Sequence, residues 1–162
     1  MLRSVSMLLR GALGCLLVGT LAPAVANAGG VTVSREIAYA KGASVRAQVR
    51  EECGLQTVIP LAIAENFVDA ELVDGRGNLE LEITDAHGPG GGAFSGPKWV
   101  EVKGTLRRGG KTLHFRAKRY SAMDIFSGGT CGILAKCGRS IGKDIAVWLA
   151  NPTPGAELGD AR

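Results

Sequence analysis

The sequence predicts an α+β two-layer sandwich with elements in the order β-α-β-β-β-β-α, one mostly antiparallel sheet carrying two helices on one face. Three observations lead there. Segments from Leu79 to Tyr120 alternate apolar and polar residues with period two, the signature of half-buried strands. Two other segments repeat apolar residues at helical spacing. Glycine clusters punctuate the joins.

The elements follow in order. Val31–Ala40 alternates at its start and is bounded by glycines, which predicts a strand. Leu55, Val58, Ile59, Ala62, Ile63 and Phe67 form one helical stripe. Pro60 is tolerated if this helix starts near Gln56 or Thr57, because the first four amides have no intrahelical acceptor. Ala70–Val73 is a short strand, and Asp74-Gly75-Arg76-Gly77-Asn78 a turn. Three strands follow. Leu79, Leu81 and Ile83 alternate with Glu80, Glu82 and Thr84; Val100 and Val102 point in while Trp99, Glu101, Lys103 and Thr105 point out. Leu113, Phe115 and Ala117 point in, with His114, Arg116, Lys118 and Tyr120 on the solvent side. Arg107-Arg108-Gly109-Gly110 is the hairpin turn before this last strand. The final helix opens at Thr130, runs to Leu149 with Ile133, Leu134, Cys137, Ile141, Ile145 and Trp148 on its stripe, and stops at Asn151-Pro152.

Residues 1–28 set the expected compartment. A basic start, a short apolar run from Gly11 to Val25 and an Ala26-Asn27-Ala28 exit are the parts of a secretory signal peptide. The run is short for a membrane span, so the mature form is expected to have no transmembrane segment and to be periplasmic or secreted. Cys15 sits mid-run rather than after a terminal Leu-small-small motif, which disfavours lipidation. Removing Arg3 and Arg10 takes the net charge from +4 to +2, too little to suggest nucleic acid. Residues 29–150 make one domain of a size that buries a core, and 151–162 reads as a disordered tail.

Export favours a disulfide among Cys53, Cys131 and Cys137. On one helix Cys131 and Cys137 would stand about 9 Å apart, too far to bridge. Cys53 and Cys131 each precede or open a helix. They meet if the helices lie side by side and parallel, so Cys53–Cys131 is the expected bridge. Cys53–Cys137 is the alternative, and a reactive Cys131 the functional one.

No catalytic or cofactor signature stands out. His87–Lys98 resembles a phosphate loop only in its glycines; Pro97 removes an amide, and no Lys-Ser/Thr pair opens a helix. His87 with Asp85 lacks a third ligand nearby, so no metal site is expected. Gly-x-Ser-x-Gly, Ser-x-x-Lys and His-Glu-x-x-His are absent. The candidate binding residues are Phe94 in the Gly-rich loop and Trp99, Lys103, His114, Arg116, Lys118 and Tyr120 on the outer strand faces.

The chain resembles a group of small exported proteobacterial proteins. The likeness rests on Glu52-Cys53-x-Leu55, on Leu81-Glu82-Ile83-Thr84-Asp85-x-His87-Gly88, and on Gly91-Gly92-Ala93-Phe94-Ser95-Gly96-Pro97-Lys98. It continues in Phe115-Arg116-Ala117-x-Arg119, Gly129-Thr130-Cys131-x-Ile133-Leu134, Gly142-Lys143-Asp144-Ile145 and Trp148-Leu149. It spans Val31 to Leu149 and implies no activity. The arrangement is also similar to small α/β domains of bacterial envelope-assembly proteins, an analogy of fold alone. The expected function is therefore a non-catalytic envelope module that binds a protein, glycan or lipid, or assembles with itself. An enzyme with a hydrolase-type or thiol-dependent site is the alternative.

Overall fold

The computed structural model describes residues 30–89, 96–121 and 128–161. The expected leader, residues 1–28, and Phe94 lie outside them. The chain is α+β, and its described residues form one seven-stranded sheet with three helices. In chain order these are β1 (Val31–Ser34), β2 (Ala38–Val45), α1 (Ala47–Glu52), α2 (Leu55–Asn66), β3 (Ala70–Val73), β4 (Leu79–His87), β5 (Lys98–Arg108), β6 (Lys111–Ser121), α3 (Gly129–Ala150) and β7 (Ala156–Gly159). The sheet runs β3-β1-β4-β5-β6-β7, with β2 also pairing on β4.

The predicted order is thus corrected to β-β-α-α-β-β-β-β-α-β, and the sheet is mixed. Only β4–β5 and β5–β6 are antiparallel; β1–β3, β1–β4, β2–β4 and β6–β7 are parallel. Helical crossovers explain the parallel pairs. The route from β1 to β3 passes through α2, and that from β6 to β7 through α3, each long enough to return the chain in the same direction.

The first predicted strand is two. Ser34 Oγ bonds the Glu36 carbonyl at 2.6 Å and turns the chain, so β1 and β2 lie one after the other along β4. The predicted disordered tail is instead ordered through Ala161. β7 lies against β6, where Gly155 N donates to His114 O and Asp160 N to Lys118 O, both at 2.8 Å. Two further bonds anchor it: Arg116 to Ala161 O at 3.1 Å and Tyr120 N to Asp160 at 3.0 Å.

α2 starts at Leu55, one residue before the predicted start, so Pro60 leaves Gln56 O without its intrahelical donor. Ile37 N supplies the missing bond at 3.1 Å. The hairpin turn is as predicted: Gly109 and Gly110 have φ of 57° and 73°, the two-residue turn that demands left-handed backbone.

α2 and α3 lie side by side. Gly138 of α3 faces Leu55, Val58 and Ile59, and Gly142 faces Ile59 and Ala62, so the helices run parallel with backbones in close approach. They cover one sheet face, and the core between holds Ile59, Ile63, Val100, Val102, Leu106, Ala117, Ile141, Ile145 and Trp148. Trp148 lies against Phe115, ring centroids 4.4 Å apart. Arg119 of β6 clamps Asp144 of α3 with two bonds of 2.6 Å, fixing the helix on the sheet. No helix of the described residues is long and apolar enough to cross a membrane.

Candidate functional site

The face away from α2 and α3 is built by β4, β5 and β6. Period-two alternation dictates which side chains it shows, and a β-bulge modifies it. Ile83 pairs with Val102 and Asp85 with Glu101, so Thr84 is the extra residue. Without it Asp85 would point into the core. With it Ala86 is buried and Asp85 and His87 face solvent.

The register then lays the outer residues in rows across the strands. His87, Trp99 and Tyr120 form one; Asp85, Glu101 and Lys118 the next; Glu82, Lys103 and Arg116 a third; Glu80, Thr105 and His114 a fourth. Six of the seven predicted binding residues, Trp99, Lys103, His114, Arg116, Lys118 and Tyr120, therefore share this face. The seventh, Phe94, lies outside the described residues.

Trp99 anchors the first row. His87 stacks on its ring at 4.0 Å between centroids and 12° between planes. Lys118 Nζ stands 5.4 Å from the same ring centroid. The indole N–H donates to Asp85 Oδ2 at 2.6 Å. The indole thus has a stacked ring, a cation and a hydrogen-bond acceptor of its own. Tyr120 is the open member, 51% exposed.

The charges pair within the face. Lys103 meets Glu82 at 2.9 Å, Arg116 meets Glu157 of β7 at 3.0 Å, and Lys118 lies 3.8 Å from Glu101. Arg76 and Arg107 both bond Glu80. Those bonds hold the Glu80 carboxyl below its usual range, that from Arg76 first and that from Arg107 second. Each exposed pair contributes little stability; together they cancel the face's charge locally. His114 Nδ1 lies 3.1 Å from Thr105 Oγ1.

Sequence reasoning missed one buried lysine. Lys98 opens β5 on the inner side, in phase with Val100, and is 1% exposed; its Nζ donates to Gly96 O at 3.2 Å. Strand parity counted back from Val100 would have found it.

A second feature lies where α3 begins. Cys53 caps the C-terminal end of α1, and Cys131 is the third residue of α3. They form the expected disulfide, Cα atoms 4.7 Å apart, because α2 and α3 run parallel. Cys137 is a free thiol in the core, its pKa pushed up by burial and, secondarily, by Asp160. Beside the disulfide opens a cleft of about 360 Å3, lined by Arg46, Gln48, Glu52, Thr130 and both half-cystines. Thr130 Oγ1 donates to Pro89 O at 3.2 Å and so fastens the cleft's rim to the end of β4.

No protein-family model, curated protein or solved structure matches the chain.

Proposed function

We propose that the protein is a non-catalytic exported module that docks a protein partner on the open β4–β5–β6 face. The observation that carries this reading is the state of that face. One side of the sheet is covered by helices, while the other shows Trp, Tyr, His, Arg and Lys on three long, rigid strands. Aromatic side chains and Arg enrich protein interfaces.

The same geometry bears on the two other ligand classes. A glycan reading rests on an aromatic ring with a free face; His87 and Lys118 already engage Trp99, which leaves the ring of Tyr120. A lipid surface is drawn by unbalanced cations, but Glu82, Glu101 and Glu157 neutralise Lys103, Lys118 and Arg116. A surface with its charges already paired fits another folded surface, since docking desolvates few lone ions.

Export is supported by the leader and by the likeness to small exported proteobacterial proteins. The Cys53–Cys131 bond agrees with it, because such bonds persist in oxidising compartments. Pull-downs of the mature chain from envelope extract test the docking face. Tyr120→Ala and Lys103→Glu change exposed side chains and should leave the melting temperature in place. A partner captured by the wild type should be lost from both variants; identical profiles would overturn the reading.

A further inference from the structure

We propose that the Cys53–Cys131 disulfide is a thiol-exchange site, opened by a thiol or dithiol that enters the cleft beside it. This is independent of the docking face. Three observations converge. Both half-cystines line the cleft, so an incoming sulfur has a route without unfolding. Cys131 is the more open of the two: it is half-buried, whereas Cys53 is buried. Cys131 also lies in the first turn of the 22-residue α3, whereas Cys53 sits between the C-terminal end of α1 and Gly54, the N-cap of α2. Helix N-termini stabilise thiolate. Stabilising the reduced form makes a disulfide easier to reduce.

The chemistry balances as follows. A thiolate attacks Sγ of Cys131 and forms a mixed disulfide. The Cys53–Cys131 bond breaks, and its electron pair leaves on Cys53 Sγ, which takes a proton from solvent. A second thiol, from the same dithiol or another molecule, attacks the reagent's sulfur and releases Cys131 as thiolate. Two electrons pass to the half-cystines, and the two reagent thiols become a disulfide. Opening the bond frees the first turn of α3 from the α1–α2 junction. Cys137 takes no part: it is 3% exposed, and burial keeps its thiol protonated. Arg46 on the cleft wall attracts an anionic nucleophile, and Glu52 repels it.

The test uses the oxidised mature chain in native buffer with excess glutathione, followed by acid quench, alkylation and peptide mapping. The reduction rate should rise linearly with thiol concentration and stay unchanged in sub-denaturing urea. The transient glutathione adduct should map to Cys131. Reversing the charge on the cleft wall by Arg46→Glu should slow exchange by about two- to fourfold at low salt. Glu52→Gln should speed it by less, and both effects should fade in high salt. A rate that plateaus at the global unfolding rate, an adduct on Cys53 or Cys137, or charge variants that exchange like wild type would overturn the proposal.

Discussion

The contact between α2 and α3 makes a prediction whose sign opposes helix propensity. Gly142 sits mid-helix, where replacing glycine by alanine ordinarily stabilises by about 1 kcal/mol. Here an added Cβ would come within 2.5 Å of Ala62 Cβ and 3.0 Å of Ile59 O. Those atoms are a first side-chain carbon and a backbone carbonyl, so only a shift of one helix can relieve the contact. Overpacking of this kind costs about 1–3 kcal/mol, occasionally more. The shift would also strain the Cys53–Cys131 tie in the first turn of α3 and the Arg119–Asp144 clamp beside Gly142. The expected net effect of Gly142→Ala is a loss of about 1–2 kcal/mol, or roughly 3–8 °C in melting temperature for a domain of this size.

Gly138→Ala is the matched control. Its Cβ would meet Ile59 Cγ1 at 3.3 Å and Val58 Cγ1 at 3.4 Å, side-chain carbons beyond Cβ and not backbone, at distances that need shifts of only a few tenths of an ångström. The propensity gain should roughly cancel the crowding, leaving stability within about 1 kcal/mol of wild type. Urea denaturation of the oxidised proteins, followed by far-UV circular dichroism, measures both. A Gly142→Ala variant as stable as wild type would refute the close parallel packing of α2 on α3.

Three other outcomes are expected. Trp148→Ala should cost about 3–5 kcal/mol, because the indole lies against Phe115 and donates to Thr153 O at 3.2 Å; an unchanged melting temperature would contradict its place in the core. The double variant Cys53→Ser/Cys131→Ser should lose about 4.5 kcal/mol, the closure entropy of a loop of 78 residues, read as a lower urea midpoint. Intact mass of protein recovered from the periplasm or medium should begin at Gly29; a retained leader, or lipid on Cys15, would count against export by a cleaved signal.

The parts of the fold legible in the sequence are those that local pattern decides. Alternation from Leu79 to Tyr120 predicts β4, β5 and β6 and the side chains on each face. The stripe through Ile141, Ile145 and Trp148 predicts the buried side of α3. The disulfide follows because both cysteines lie at starts of helices that had to cover the same sheet. What stayed hidden depends on contacts distant in sequence. β2 contains Gly42 at φ 80° and an irregular register against β4, so it shows no alternation. β7 is four residues long and is a strand only because β6 offers its edge; Pro152 and Pro154 lie in the segment that returns the chain there. α1, six residues, is too short to show a period. Of the candidate site, the outer residues were legible from parity. The Thr84 bulge that turns Asp85 and His87 outward was not, because it depends on pairing with β5.

The docking face is the central claim, and site-specific photo-cross-linking tests it most directly. A benzophenone amino acid would replace Tyr120 on the open sheet face, or Lys143 on the exposed side of α3, in the chain of 162 residues. Both positions are exposed, so either replacement should leave the fold intact. Irradiation of cells should give a discrete protein adduct from position 120 and none from position 143. Adducts from position 143 alone, or none from position 120, would contradict the account.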